Sequence, residues 1–474
     1  MIKNYFKDFF IIGTSSVISI LLSLLTTPII TRIVSPHEYG AFSLFLLYGQ
    51  TAIFILALGL DQSLIRYFYK VKYKDYKNYI LYKCLKWPVL FYILFSFLFL
   101  LLKNNFNFDK KTIVYLLIYI FLLLIYRFAQ LIVRLEFDSG LFSKLNIIQK
   151  IIYIIIALPA IYLIKNFYLQ ILIISTLIAL LICTLVAIYK YIDIWNIKEF
   201  LHNKKCFIKE KILLNYAYPY FISFIILSVF NTSDRVILNL YTSYFEIGIY
   251  ASALSLISIL NLIQSTFNTL WAPFAVKHFT DFPDDKELYI KANKIITVVM
   301  FCIGIVLILC KDLFVLLLGD KYREASYLLP CLIFNPIMYT ISETTVLGLV
   351  FMQKSKAHTL VALGSAITNI VLCFALIPFL GIKGAAIANA LAYIVFFSIR
   401  TYLSNKYFKV EYDLKKFYVL TFSCLFFALY NTFMLINVLS YIFCIFILLL
   451  IWYLYKDTVV FIIQYARKLL PFDV

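Results

Sequence analysis

Six ionisable residues stand inside or at the edge of long apolar stretches: Arg32, Asp61, Arg127, Asp234, Arg235 and Glu343. A charge in hydrocarbon is expensive, so such residues face a partner, a water-filled cavity or a ligand. Arg127, Gln130 and Arg134 are spaced i, i+3, i+7, which puts all three on one face of a helix. A guanidinium never loses its charge and presents a planar fork, so this stripe suits an anion such as a phosphate group. Two simpler readings stand beside that one: Arg134 extends to the membrane interface, and Arg127 pairs with a carboxylate. Asp234 and Arg235 are adjacent and point about 100° apart on a helix, so one can face an opening while the other ties down a neighbouring helix. Asn261, Gln264, Ser265 and Asn268 form one polar face; Asn335, Tyr339, Ser342 and Glu343 form another around Pro336. Both are expected to line a cavity. Amides and hydroxyls beside aromatic rings suit sugars, and hydrogen bonds between helices explain them equally well.

The candidate ligand-binding residues are therefore Arg32, Arg127, Arg134, Arg235, Asn261, Gln264, Asn268 and Tyr339. Asp61, Asp234 and Glu343 are the candidate ion-coupling or gating residues, Glu343 being the best placed for a proton or sodium ion. No cofactor or metal is expected. The nine cysteines include no Cys-x-x-Cys and lie mostly in apolar spans, where a free thiol packs as a small hydrophobe. The acidic stretch from Asp281 to Glu287 sits in a lysine-rich loop and is expected to be solvated.

These residues need elements to hold them, and the composition says which. Hydrophobic residues make up 64% of the 474, charged residues 14%, and mean hydropathy is +0.93, against roughly 45–50% and 25% for a soluble domain. The fold expected is an all-α polytopic membrane protein with about fourteen transmembrane helices. The spans run roughly over 9–33, 41–65, 85–102, 112–135, 145–164, 168–189, 213–240, 248–270, 294–311, 325–351, 357–379, 383–403, 417–436 and 438–456. The first is too long for a signal-peptide core and has no small-x-small cleavage site, so it is expected to remain as a helix.

The net charge of +19 does not point to nucleic acid, because the 43 Lys and Arg are scattered over the loops between spans. With the N-terminus inside, about 32 of them fall on the cytoplasmic side and about 8 outside, which orients both termini inward. The basic segment from Lys190 to Lys211 is the longest linker. It is either a solvated loop or an amphipathic helix on anionic lipid, with Trp195 and Phe200 dipping in. Outer connections are short, Lys311 to Glu324 being about 14 residues.

An internal echo organises the chain. Arg32 followed by Glu38, Gly40 and Phe42 is answered by Arg235 followed by Glu246, Gly248 and Tyr250. Two parallel repeats follow from it: a six-helix bundle over 1–190, a linker over 191–211, a second bundle over 212–410, and two further helices with a tail over 411–474. The repeat is expected to set Arg32 and Arg235 on opposite walls of one cavity.

With those residues in view, the chain resembles the bacterial polysaccharide flippases of the MOP superfamily. The resemblance rests on the runs Pro28 to Gly40 and Gly59 to Tyr67, on Asp234-Arg235 with Gly248 to Tyr250, and on Asn369 through Gly381-Ile382-Lys383-Gly384-Ala385-Ala386. It implies a MATE-like pair of six-helix bundles around a central cavity opening alternately to each side of the bacterial cytoplasmic membrane. It also implies a substrate of undecaprenyl pyrophosphate bearing a short glycan, surrounding membrane lipids, sodium or protons as coupling ions, and polymerase and glycosyltransferase partners. Lipid II flippases and drug or cation antiporters share the fold. A membrane oligosaccharide polymerase or ligase is the rival from another class, and such enzymes usually carry a long outer loop.

Overall fold

The computed structural model describes residues 2–70, 74–101, 109–196 and 208–469, and every regular element among them is helical. In chain order these are α1 (Ile2–Ile33), α2 (Pro36–Leu56), α3 (Leu60–Tyr67), α4 (Lys74–Leu101), α5 (Lys110–Leu135), α6 (Ser139–Leu163), α7 (Tyr168–Lys190) and α8 (Ile192–Trp195). The second half holds α9 (Glu210–Tyr241), α10 (Tyr244–Asp281), α11 (Glu287–Leu309), α12 (Lys311–Val315), α13 (Leu329–Leu332), α14 (Phe334–Thr345) and α15 (Leu347–Phe351). It ends with α16 (Ser355–Tyr407), α17 (Leu414–Phe433), α18 (Val438–Leu454) and α19 (Lys456–Leu469). Eleven described helices are long and apolar enough to cross a membrane, or thirteen if two bent pairs each count as one span.

That count takes the 53-residue α16 as one helix, yet Gly381 inside it has φ 54° and ψ −133°. A Cβ on Gly384 would lie 2.5 Å from the Leu376 carbonyl oxygen, whereas residues eight apart on a straight helix are about 12 Å apart. The chain therefore folds back at Gly381, and α16 is a hairpin of two helices. Counted that way, the hairpin contributes two apolar helices rather than one.

The sequence echo has a physical basis at two helix starts. Glu38 lies in the first turn of α2. Glu246 lies in the first turn of α10, where it closes a capping box with Ser243: the Ser243 hydroxyl accepts from the Glu246 amide, and the Glu246 carboxylate accepts from the Ser243 amide at 3.1 Å. An acid there satisfies unpaired amides and the helix dipole.

Packing divides the chain into two compact units. The first comprises Met1–Thr26 and Glu38–Thr232, the second Thr27–His37 and Ser233–Val474, so the end of α1 and the bulk of α9 each pack with the unit that holds most of the other half. The first unit is built around Leu60, Leu64, Phe68, Leu81, Leu124, Phe128 and Leu213. An aromatic cluster including Trp271, Tyr289, Phe408 and Tyr412 anchors part of the second.

Three expectations change. The second span does not run to 65: α2 stops at Leu56, and a turn through Leu58 and Gly59, at φ 52° and 69°, redirects the chain into α3. The tenth span is a broken string of short helices, bent by 53° between Asp320–Tyr327 and Leu329–Thr345; the connection leading into it is packed down, with Tyr322 and Ala325 wholly buried. The start of the linker is held against the first unit rather than free. Trp195 packs against the first unit's core, and α4 fastens it, Tyr82 donating to the Trp195 carbonyl and Asn78 to the Asn196 carbonyl, both at 2.6 Å. Phe200 and the rest of that segment, 197–207, lie outside the described residues.

Candidate functional site

In the first unit the chemistry gathers where α2 breaks into α3. Gly59 has φ 69°, and a Cβ there would lie 2.5 Å from the Ala217 carbonyl oxygen of α9 and 3.0 Å from the Phe221 nitrogen. Only glycine accepts both the left-handed backbone and that approach. The turn places Asp61 in the first turn of α3, only 3% exposed. One carboxylate oxygen accepts the Gln62 amide at 2.9 Å, and the other accepts Nε of Arg127 from α5 at 3.0 Å together with Arg127 Nη2. The Arg127 side chain keeps 28% of its surface open, and its guanidinium carbon lies 5.3 Å and 6.0 Å from the ring centroids of Phe54 and Phe224.

Phe224 ends an aromatic ladder on α9. Tyr216, Tyr220 and Phe224 follow at i, i+4 and i+8, with successive centroids 5.4 Å and 6.5 Å apart. Arg66 of α3 lies over the Tyr216 ring at 4.7 Å. Two guanidiniums thus bracket a row of partly exposed rings, an arrangement suited to an anionic group followed by flat, C–H-rich sugar faces.

The expected stripe on α5 therefore divides. Arg127 takes the carboxylate, Gln130 turns to Tyr126 and to Asn146 of α6 at 2.7 Å and 2.8 Å, and Arg134 is exposed in the last turn.

The second unit repeats the theme with other residues. Glu343 of α14 accepts from Nη1 of Arg400 in α16 at 2.9 Å, and the same Nη1 reaches the Ser342 hydroxyl at 2.5 Å. Both side chains of the pair are nearly closed, at 8% and 9%. The guanidinium carbon lies 5.3 Å from both the Tyr339 and Phe396 rings, which stack on each other. The polar face Asn335–Glu343 is accordingly interior packing, with Ser342 and Glu343 buried and Asn335 and Tyr339 half-buried. Glu343 is thus not a lone desolvated carboxylate, since a permanent cation is bonded to it.

Asp234 is the member of its adjacent pair that ties helices together: it is 4% exposed and accepts from the Tyr250 hydroxyl of α10 at 2.6 Å. Arg235 is half-buried, its Nε 3.9 Å from Asp234. Arg32 is exposed and packs in the second unit, as Arg235 does. On α10, Asn261 and Ser265 are exposed and Gln264 and Asn268 half-buried. No group of three or more metal-ligating side chains occurs among the described residues.

Arg400 and the α9 ladder escaped the sequence reading. Arg400 lies within the span expected over 383–403 but is not among the charges singled out there. The i, i+4, i+8 aromatics were legible as a stripe, though nothing local distinguishes such a stripe from lipid-facing packing.

Comparison with known proteins places this geometry. The fold is similar to that of the lipid II flippase MurJ in its inward-closed conformation, with a TM-score of 0.69 at 14% identity over 96% of this chain and 99% of that one. It is also similar to an inward-facing multidrug resistance MATE family transporter of the MOP superfamily, with a TM-score of 0.66 at 13% identity over 82% and 94%. A search of curated protein sequences matched none. The profile of the polysaccharide biosynthesis protein family matches residues 5–279, more than half of a membrane-spanning, all-helical chain with the MOP fold, and the chain belongs to that family.

Proposed function

We propose that the protein flips undecaprenyl-pyrophosphate-linked oligosaccharide from the inner to the outer leaflet of the bacterial cytoplasmic membrane, by alternating access, during surface polysaccharide synthesis. The observation that carries this reading is Arg127. Its guanidinium is fixed to buried Asp61 through two donors and keeps others for a second anion. Holding it on one edge orients the free edge, and the flanking rings lower the local polarity so that its attraction for a pyrophosphate oxygen is less screened. Tyr216 and Tyr220 then offer faces for the first sugars, and the polyprenyl tail stays in the bilayer. Family membership supports the polysaccharide pathway, and the fold supports transport.

On this reading the chain performs no covalent chemistry. Glycosyltransferases complete its substrate and a polymerase consumes its product. A sodium or proton gradient supplies the direction, with Asp61, Asp234 and the Glu343–Arg400 pair as the groups whose pairing changes between states.

The test is reconstitution into liposomes with a defined lipid-linked oligosaccharide, reading its leaflet with a membrane-impermeant sugar oxidant, with and without each gradient. The wild type should equilibrate the glycolipid, Arg127→Lys should do so partly, and Arg127→Ala should not. Movement of a hydrophobic cation but of no glycolipid would instead assign the protein with the drug antiporters.

A further inference from the structure

The second unit carries a cavity of about 500 Å³, within the roughly 300–1,000 Å³ typical of ligand sites. It is separate from both arginine pairs. Its wall draws Lys291 and Lys294 from the start of α11, Lys416 from α17 and Lys456 from α19, four ammoniums from three elements, against one lining carboxylate, Asp457. Lys291 is matched by Glu287 and Lys294 by Asp413, each at 2.7 Å. Lys294, with Lys416 near it, holds the Asp413 carboxyl below its ordinary value. Among the described residues Lys416 and Lys456 are in no salt bridge, and both are exposed. Tyr455 and Thr458 add hydroxyls, and the rest of the wall is apolar: Ile295, Leu454 and Phe461.

The position of the cavity narrows the ligand. α19 leaves α18 at 95°, an angle that fits a helix lying along the membrane surface behind one that crosses the bilayer. It is amphipathic and exposes Phe461, Ile463 and Tyr465, the two rings stacked at 6.3 Å. A surface helix with bare aromatics lies at headgroup depth. The cavity at its start thus joins an apolar floor, where acyl chains begin, to a cluster of ammoniums at phosphate level.

We propose that this cavity binds the phosphate of an anionic phospholipid headgroup, independently of the transported substrate. Lys416 and Lys456 supply the free charges, the first-turn amides of α19 add donors, and the acyl chains leave past Phe461 and Leu454. A bound lipid would bridge α11, α17 and α19, fastening the C-terminal helices in a membrane of the right composition.

The test uses the full chain in detergent micelles, following thermal unfolding while phosphatidylglycerol, phosphatidylcholine or inorganic phosphate is added at low salt. Phosphatidylglycerol should raise the Tm saturably, and phosphatidylcholine should not. In Lys416→Gln/Lys456→Gln the half-saturating concentration should rise about twenty-fivefold, each ammonium near an anionic surface contributing a factor of about five. Lys416→Arg/Lys456→Arg should bind normally, and Lys165→Gln, an exposed lysine outside the cavity, should match the wild type. Equal stabilisation by phosphatidylcholine, or an unchanged response in the double Gln variant, would overturn the site. Saturation by inorganic phosphate alone, with no further gain from phosphatidylglycerol, would overturn the lipid and leave a small-anion site.

Discussion

Arg127 and Asp61 answer two questions that are easily confused, whether a pair holds the fold and whether it meets substrate. Asp61 is 3% exposed, and removing the partner of a buried charge costs about 3–5 kcal/mol. Arg127→Ala should therefore lower the Tm as well as stop transport, and by itself proves nothing about ligand contact. Asp61→Asn/Arg127→Gln leaves no buried charge, so it should recover most of the stability while transport stays lost. Full transport by that double variant would reduce the pair to a structural tie. The same logic of stability holds for Glu343 and Arg400, whose pair is closed on both sides. Glu343→Met and Arg400→Met should each destabilise by about 3–5 kcal/mol, and the two together by less than either alone, since an apolar replacement strands no charge. Strict additivity of the two losses in thermal unfolding would show the residues to be uncoupled.

At the scale of elements, two glycines do different work. Gly59 stands at φ 69° against the α9 backbone, and Gly381 at φ 54° with only the Glu246 carboxylate, at 3.4 Å, near its missing Cβ. Gly381→Ala meets backbone strain of about 1–3 kcal/mol and little else, so a modest fall in Tm is expected. Gly59→Ala meets the same strain plus a carbonyl 2.5 Å away, and relief requires moving α3. Because α3 carries Asp61, Gly59→Ala should lose transport out of proportion to stability, whereas Gly381→Ala should lose both together. Transport and Tm measured on each variant decide this, and parallel losses in both would detach the turn from the site.

At the scale of the whole molecule, the charge asymmetry of the loops predicts the orientation of the chain. Asp284, in the exposed loop after α10, should lie in the cytoplasm, and Lys321, exposed before α13, should lie outside. In a cysteine-free background, Lys321→Cys in intact cells should react with an impermeant maleimide, and Asp284→Cys only after permeabilisation. The reverse pattern would invert the orientation and with it the direction of the proposed flipping.

What the sequence determined by itself is local or additive. About twenty apolar residues make a span wherever they occur, loop charges sum without regard to packing, and the Glu-x-Gly echo marks two helix starts because capping acts within one turn. Arg127, Asp61, Asp234 and Glu343 could be singled out because burial of a charge is costly whatever its neighbours. Their partners could not be read. Asp61 and Arg127 stand 66 positions apart and Glu343 and Arg400 stand 57 apart, and no periodicity on one helix states which face of another it will meet. Tertiary packing alone decided that Glu343 has a permanent counterion, that Arg32 shares a unit with Arg235, and that the second span breaks at Gly59 to turn Asp61 inward. Each of these depends on a backbone approach or a side-chain contact between helices distant in the chain.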